Sequence, residues 1–308
     1  MQALVAAPKS ASKIEFRNVP EPQPNPFEAL VEVKAFSANR GELRRLASAP
    51  DGWRPGWDVA GVVLKTAADG SGPKEGSRVV GLMREGAWAE RVALPVSYLS
   101  TLPTGVSFSA ASTLPVAGLT ALAALRRGGL LLGSRVLITG AAGGVGRFAV
   151  QLARRSEAHI TAVVGRPERT KGLKELGADE VVVESPPRDA KFDLILESVG
   201  GSSLARSLNS LKPGGTVVLF GNSSGESTAF DSGSFYPQGG AQLYGLLVFV
   251  ELQRTGSAPR DLNYLTSLLE TEALDPQVDL EMSWRDVGQV IDAMSSRTIA
   301  GKAVLKVE

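Results

Sequence analysis

Hydrophobic and polar residues change their spacing along the chain, and the change predicts two kinds of structure. In roughly the first 115 residues, the apolar runs are short or alternate with polar residues, as in β-strands. Further on, strand-like runs alternate with helical ones, which is typical of a parallel sheet with crossover helices. The early strands are predicted at 30–35, 61–65, 77–81 and 89–94, the later ones at 135–139, 160–164, 180–183, 192–196, 216–220, 242–250 and 303–307, and the helices at 145–155, 168–176, 202–211 and 284–295.

One junction between a strand and a helix is rich in glycine. The strand ends at Thr139, and glycines follow at 140, 143, 144 and 146. Gly140 can take a tight turn, Gly143 lets the backbone approach a pyrophosphate, and Gly146 lets the helix lie close to its strand. The spacing is Gly-x-x-Gly-x-x-Gly, with Ala142 where the usual motif has its middle glycine. The junction predicts a dinucleotide loop, and the alternative is glycine needed only for packing.

Composition places the chain among ordinary globular proteins. Of its 308 residues, 43 % are hydrophobic and 21 % charged, and the formal net charge is +1. This balance gives no electrostatic reason to expect nucleic acid or an anionic membrane as a partner. No stretch reaches about 18 uninterrupted apolar residues, and the first residues lack a secretory pattern. The expected location is the cytoplasm.

The supply of cysteine and histidine limits the chemistry. The chain has no cysteine and one histidine, His159, which precedes an apolar run and is expected to be a partly exposed residue at a strand start. Disulfides are therefore impossible, which fits a reducing compartment. Zinc sites are built mainly from cysteine and histidine, so no zinc is expected. A cysteine nucleophile is excluded, and a histidine-based triad is disfavoured.

Eight short segments, spread over nearly the whole chain, carry a family resemblance through their order and spacing. The segments are 39–42, 55–61, 114–121, 140–146, 176–179, 193–201, 211–215 and 299–302. With them the chain resembles the medium-chain dehydrogenase/reductase superfamily, in particular its zinc-free, quinone-oxidoreductase-like branch. The resemblance implies an α/β protein with a GroES-like, mostly-β catalytic domain at 1–118 and 257–308. It also implies a Rossmann domain with a doubly wound parallel sheet at 119–256, and a cofactor cleft between the two domains.

The chain departs from the zinc alcohol dehydrogenases of this superfamily. Where they have Gly-His-Glu, with histidine as a metal ligand, this chain has Gly56-Trp57-Asp58. The cysteine ligands and the structural-zinc lobe are also missing. Without a Lewis acid to stabilise an alkoxide, reversible alcohol oxidation loses its main electrostatic aid, so alcohol dehydrogenase activity is disfavoured.

The resemblance also points to catalytic positions. It implies that Asn39 and Thr120 lie beside the nicotinamide, where the amide holds a ribose or substrate oxygen and the hydroxyl bonds the carboxamide. The alternatives are a turn residue for Asn39 and a helix N-cap for Thr120.

Substrate contacts are expected from Trp57, Asp58 and Tyr236, and the alternative for Trp57 is an aromatic side chain that only packs. The acidic residues Glu42 and Asp58 are expected to form structural pairs with Arg44, Arg45 or Lys65, or to be solvated. Related enoyl reductases use a tyrosine shortly after the Asn39 motif as proton donor, and residues 43–53 contain none.

The end of the second Rossmann strand bears on the choice of cofactor. About 20 residues after the glycine loop, where an NAD site would have an acid, the chain has Arg166, followed by Arg169 and Lys171. These cations suit the 2′-phosphate of NADPH, although Glu168 is a rival and a solvated helix start is the alternative. The expected cofactor-binding residues are Gly140, Ala142, Gly143, Gly144, Val145, Gly146, Gly165, Arg166, Arg169, Lys171, Val199, Phe220, Gly221 and Asn222.

Together these features favour an NADPH-dependent reductase of quinones or α,β-unsaturated carbonyl compounds, with solvent as the source of the proton. Such acceptors are activated by their own conjugation, so the protein needs only to orient them and exclude water. The alternatives are an enoyl-thioester reductase and an NADPH-binding protein with little turnover. The apolar segment 242–250 is expected to be an edge strand of the Rossmann sheet that pairs with its counterpart in a homodimer.

Overall fold

The chain divides into two compact units, one of them discontinuous. The computed structural model describes residues 1–10, 12–187 and 189–308. Unit 1 contains Met1–Leu119 and Leu252–Glu308, and unit 2 contains Thr120–Glu251. The predicted boundaries were after residues 118 and 256. The observed second boundary comes earlier, after Glu251, and falls inside a helix, Val248–Thr255.

Regular structure covers most of both units. The strands are β1 Gln2–Ala6, β2 Ile14–Asn18, β3 Glu28–Ala38, β4 Asp58–Lys65, β5 Arg78–Leu82, β6 Arg91–Pro95, β7 Leu99–Thr101, β8 Arg135–Thr139, β9 His159–Val164, β10 Glu180–Val183, β11 Phe192–Glu197, β12 Leu211–Leu219, β13 Gln242–Gly245, β14 Val278–Ser283 and β15 Lys302–Lys306. The helices are α1 Arg40–Leu46, α2 Phe108–Ser112, α3 Pro115–Arg126, α4 Gly144–Arg155, α5 Gly201–Asn209, α6 Ser232–Phe235, α7 Val248–Thr255, α8 Ala258–Glu270 and α9 Val287–Ser295. Within the described part of the chain, no helix combines the length and apolarity needed to cross a membrane.

Unit 1 is built around a mostly antiparallel sheet. Its strands lie in the order β14-β15-β3-β4-β5-β7, β6 also pairs with β3, and β1 and β2 form a separate antiparallel pair. Phe36 on β3 stacks on Trp88, with ring centroids 5.4 Å apart, inside the core. The C-terminal strand β15 pairs with β3 so that Ala303 lies opposite Ala38. This pairing brings the last residues of the chain to the start of α1.

Unit 2 has the parallel sheet that the sequence predicted. Its strands lie in the order β10-β9-β8-β11-β12-β13, and every neighbouring pair is parallel. The chain starts in the middle with β8, moves outward to β10, and then returns to β11 on the other side. The carboxyl ends of β8 and β11 therefore flank the point where the direction of winding reverses, which is where open α/β sheets bind ligands. The predicted fold class is confirmed.

Two predicted elements are wrong. The helix expected at 168–176 is only a 3₁₀ turn, Pro167–Thr170, followed by irregular turns. Gly172 has a φ of +79°, a left-handed conformation that ends a right-handed helix. The strand expected at 242–250 stops at Gly245, and α7 begins at Val248.

The second error has a visible cause in the neighbouring strand. The strand that pairs with β13 is β12, which ends at Leu219. The Leu219 carbonyl accepts the N–H of Leu246 at 2.8 Å, and beyond this bond β12 has no strand residues with which 247–250 could pair. In α7, Val248, Phe249 and Leu252 are buried while Val250 is exposed, which is helical spacing rather than alternation.

Candidate functional site

The glycine loop of unit 2 follows β8 directly. Gly140 has a φ of +59°, and a Cβ at this position would collide with the Ser198 hydroxyl. At Gly146 a Cβ would lie 2.6 Å from the backbone of Ala141, so the start of α4 lies against the loop. The N-cap of α4 is Gly143, which has no side chain to cap the helix. The first N–H groups of α4 are therefore left for another acceptor, as in a helix start that binds phosphate.

Side-chain hydrogen bonds tie together the ends of β8 and β11. Ser198 donates its backbone N–H to Thr139 Oγ1 at 3.0 Å and its hydroxyl to the Thr139 carbonyl at 3.1 Å. The loop after β12 joins this arrangement because Ser224 donates its N–H to the Val199 carbonyl at 2.8 Å. A Cβ at Gly200 would collide with Asn222 Oδ1. The expected residues Val199 and Asn222 thus lie in loops that contact each other.

A buried glutamate holds the loop between β11 and α5. Glu197 is fully buried, and its Oε1 accepts the backbone N–H groups of Val199 at 2.7 Å and Gly200 at 3.0 Å. Its Oε2 accepts the hydroxyls of Ser203 at 3.1 Å and Ser207 at 2.9 Å. Four donors compensate the carboxylate for the water it has lost. Sequence analysis missed this role, although Glu197 lies in a segment that carried the resemblance.

A cavity of about 390 Å³ opens at the carboxyl ends of β8, β9, β10 and β11. Of the expected cofactor-binding residues, Gly140, Gly165 and Val199 line it, and the others are not part of its lining. Its full lining is Thr139, Gly140, Val163, Val164, Gly165, Glu184, Val199, Gly200, Ser202, Ser203, Arg206, Ser224 and Glu226.

The three expected cations have different surroundings. Arg166 is exposed directly after Gly165 at the end of β9. Arg169 is half-buried and donates to the Ala142 carbonyl in the glycine loop at 3.1 Å. Lys171 is exposed, and its backbone carbonyl accepts from Arg147 at 3.2 Å. Arg169 therefore supports the loop itself, which its position in the sequence did not reveal.

Unit 1 has a buried polar cluster centred on Asp58. Its Oδ2 accepts from Ser37 Oγ at 2.5 Å, from Asn39 Nδ2 at 2.8 Å and from Lys302 Nζ at 3.3 Å. Its Oδ1 accepts the backbone N–H of Val116 at 2.8 Å. Asp58 is 0 % exposed and Lys302 is 3 % exposed. The expectation that Asp58 pairs with Arg44, Arg45 or Lys65 or is solvated is wrong, because β15 brings Lys302 to it from the other end of the chain.

The same cluster fixes the orientation of the Asn39 amide. Asn39 Nδ2 donates to the carboxylate of Asp58, and Asn39 Oδ1 accepts from Lys302 Nζ at 2.7 Å. An ammonium can only donate and a carboxylate only accept, so the amide has one satisfactory orientation. Asn39 Nδ2 carries a second N–H, which can donate to another acceptor. The contacts of Asp58 thus favour positioning Asn39 over direct contact with a substrate.

Glu42 lies beside this cluster on α1. It is fully buried, and its Oε2 accepts the backbone N–H of Asn39, the N-cap of the helix, at 2.6 Å, as the N3 residue of a capping box does. Burial, together with the charge of Asp58, raises the pKa of Glu42 from 4.5 to about 8, although Lys302 acts in the opposite direction. At pH 7 the protonated form is favoured, and the charges of Asp58 and Lys302 then balance.

The remaining expected residues have varied surroundings. Thr120 is buried inside α3, which begins at Pro115, so the alternative that it is an N-cap is wrong. Trp57 is half-buried against α1, where a Cβ at Gly41 would collide with its ring. Tyr236 is 78 % exposed in unit 2.

Among the described residues, no group of three or more histidine, cysteine, aspartate or glutamate side chains is arranged to hold a metal ion. His159 is exposed at the start of β9. The expectation of a site without zinc stays a prediction.

The fold and the glycine loop place unit 2 among Rossmann-type dinucleotide-binding domains. Two family models agree with this division of the chain. The GroES-like domain of alcohol dehydrogenases matches residues 25–104, and the zinc-binding dehydrogenase domain matches residues 144–258.

Individual proteins give the same result. A 2-methylene-furan-3-one reductase from Solanum lycopersicum is 33 % identical over 66 % of this chain and 57 % of its own length. A chloroplast envelope quinone oxidoreductase homolog from Arabidopsis thaliana is 32 % identical over 68 % of this chain and 70 % of its own length. The native structure of a mycobacterial protein complexed with NADPH superposes with a TM-score of 0.87 and 25 % identity, and covers 99 % of this chain and 100 % of that one.

These matches identify the family. The chain belongs to the medium-chain dehydrogenase/reductase superfamily, among its quinone-oxidoreductase-like members. It aligns with little more than half of the tomato protein, so the activity of the whole protein is a matter for proposal.

The raised pKa of Glu42 predicts how stability depends on pH. Between pH 4.5 and about 8 the folded protein binds a proton here that the unfolded chain releases, so the free energy of unfolding falls as pH rises. A Glu42→Gln variant cannot ionise at this position. Its free energy of unfolding should therefore lack this dependence on pH, which is about 1.4 kcal/mol per pH unit at most.

Urea unfolding of both proteins from pH 5 to 9 measures the effect as the difference between their stabilities. The exposed Glu75→Gln variant, in the same unit, is the matched control. A difference between wild type and Glu42→Gln that stays constant with pH would contradict the assignment.

Proposed function

We propose that the protein is an NADPH-dependent reductase of quinones or α,β-unsaturated carbonyl compounds. The observation that carries the proposal is the glycine loop beside a cavity at the point where the winding of the unit 2 sheet reverses. The names of the tomato and Arabidopsis relatives, a furanone reductase and a quinone oxidoreductase homolog, support the class of acceptor. The cytoplasm remains the expected location.

The residues of unit 2 fit a bound dinucleotide. The uncapped N–H groups of Gly144, Val145 and Gly146 at the start of α4 would hold the pyrophosphate. The exposed side chains of Arg166 and Lys171 would meet the 2′-phosphate. When bound, the nicotinamide supplies a hydride to an electrophilic carbon or to a quinone oxygen.

Orientation is the main task left for the protein. The second N–H of Asn39 Nδ2 would donate to a substrate or ribose oxygen, and the cluster around it prevents the amide from flipping. Thr120 would bond the carboxamide, while Trp57 and Tyr236 would contact the acceptor. Conjugated acceptors need no Lewis acid, and solvent would supply the proton.

The first test is an assay of NADPH oxidation. The purified protein should oxidise NADPH with 1,4-benzoquinone or with a simple enone, and treatment with EDTA should leave the rate unchanged because no metal takes part. A loss of activity with EDTA that Zn²⁺ restores would contradict the proposal. Turnover only with an enoyl thioester would favour that alternative, and NADPH binding without any turnover would favour a binding protein.

The contribution of Arg166 can be measured separately from that of Arg169. Replacing Arg166 with alanine removes a charge-assisted bond to the 2′-phosphate, worth about 1.5–3 kcal/mol, so NADPH should bind roughly 10- to 150-fold more weakly. NADH, which lacks this phosphate, should be affected much less. Arg169→Ala should weaken both cofactors because it removes support from the glycine loop. Equal weakening of both cofactors by Arg166→Ala would refute its assignment, as a fluorescence titration would reveal.

A homodimer through the edge strand β13 is also part of the proposal. This strand ends the unit 2 sheet on one side, and Leu243 in it is 44 % exposed. Leu247 and Val250, just beyond the strand, are exposed as well. An open edge with apolar side chains favours pairing with a second copy across a two-fold axis.

A Leu243→Lys variant should be a folded monomer. The side chain at 243 is exposed in the single subunit, so the lysine should not unfold it, whereas a charge buried in the dimer interface is unfavourable. Light scattering after gel filtration, at micromolar concentration, measures the mass. Val183→Lys, on the opposite edge strand of the same sheet, is the matched control and should stay dimeric. A wild-type protein with the mass of a monomer would refute the proposed homodimer.

A further inference from the structure

The charged residues that line the cavity of unit 2 are not the ones that the sequence pointed to. They are Glu184, Arg206 and Glu226, and none of the cations Arg166, Arg169 and Lys171 belongs to the lining. Two carboxylates and one guanidinium give this space a net charge of −1 when all are ionised. A cavity meant only for a phosphorylated ribose would be expected to have the opposite sign.

Glu184 follows β10 and lies next to the end of β9. Its backbone N–H donates to the carbonyl of Val164 at 2.7 Å, and its own carbonyl accepts from Arg206 at 3.5 Å. Its φ is +68°, a left-handed conformation that costs energy in a residue other than glycine. Contacts with β9 and α5 thus hold this residue at the rim of the cavity.

The second acidic residue of the lining, Glu226, lies near α5 rather than β9. A Cβ at Gly201 would lie 2.6 Å from Glu226 Oε2, so this side chain lies against the start of α5. Glu184, by contrast, directly follows β10, the strand next to β9. In dinucleotide-binding sheets the carboxyl end of the second strand meets the adenosine ribose, and β9 is that strand here.

A carboxylate at this position distinguishes the two cofactors chemically. It can accept hydrogen bonds from the ribose hydroxyls of NADH. Towards the 2′-phosphate of NADPH it presents a like charge and no donor. An arginine has the opposite preference, because its guanidinium donates hydrogen bonds to the phosphate and its positive charge attracts it.

We propose that Glu184 is a specificity-determining residue whose carboxylate accepts from the ribose hydroxyls of NADH and opposes the 2′-phosphate of NADPH. Glu184 and Arg166 then act in opposite directions, and the protein uses NADH as well as NADPH. The acid directly follows the third strand of the unit, whereas in the sequence motif it follows the second. This inference rests on the proposed function only in placing a nicotinamide dinucleotide in the cavity.

Equilibrium binding tests the inference without any turnover. The Kd values of NADPH and NADH are measured by fluorescence titration for wild type and for Glu184→Gln, which keeps the size of the side chain and removes its charge. The ratio of the NADH Kd to the NADPH Kd should rise by about tenfold, through tighter NADPH and weaker NADH. Glu184 is exposed, so the variant should fold, and its melting temperature checks this.

The matched control is Glu175→Gln, the same change of charge at an exposed residue of the same unit that does not line the cavity. Its ratio should equal that of wild type. An unchanged ratio in Glu184→Gln, or an equal rise in the control, overturns the inference. Binding of both cofactors with the expected shift, but no reduction of any acceptor, would refute the proposed function and leave the role of Glu184 standing. Absence of binding by either cofactor in the folded wild type would refute both.

Discussion

The buried ion pair between Asp58 and Lys302 is the interaction on which unit 1 depends. The two residues are 244 positions apart, and both are almost completely excluded from water. Removing one partner from such a pair typically costs about 3–5 kcal/mol, because the other charge is left buried alone. The pair is tolerated because Asp58 accepts from four donors and Lys302 also donates to Asn39. The ion pair thereby joins the two segments of unit 1, which are separated in the sequence by the whole of unit 2.

This closure has a chemical consequence at Asn39. The amide lies between a group that can only donate and a group that can only accept, so its orientation follows from charge rather than from packing. Glu42 holds the backbone of the same residue and favours the protonated form at neutral pH. A fixed amide with a second N–H to donate, in surroundings whose charges balance, is suited to orienting a neutral, electrophilic acceptor.

Unit 2 also contains a buried carboxylate, which is stabilised by a different set of groups. Glu197 is buried without a cation, and its carboxylate is satisfied by two backbone N–H groups and two hydroxyls. It thereby fixes the loop after β11, while the bonds between Ser198 and Thr139 fix that loop to the end of β8. In both units a buried carboxylate shapes a loop that carries a proposed ligand contact. Because each depends on several donors at once, single changes nearby should act on more than one contact.

Local patterns in the sequence determined much of this protein. The alternation of strands and helices predicted the parallel sheet, and the glycines at 140, 143, 144 and 146 marked the loop, because both signals depend on residues close together in the chain. Long-range packing decided the rest. Lys302 reaches Asp58 only through the pairing of β15 with β3, and Glu184 reaches the cavity only because β10 lies beside β9. The segment 242–250 became a strand and a helix because its partner strand ended. No local pattern encodes such a neighbour, so only the tertiary structure could supply these contacts.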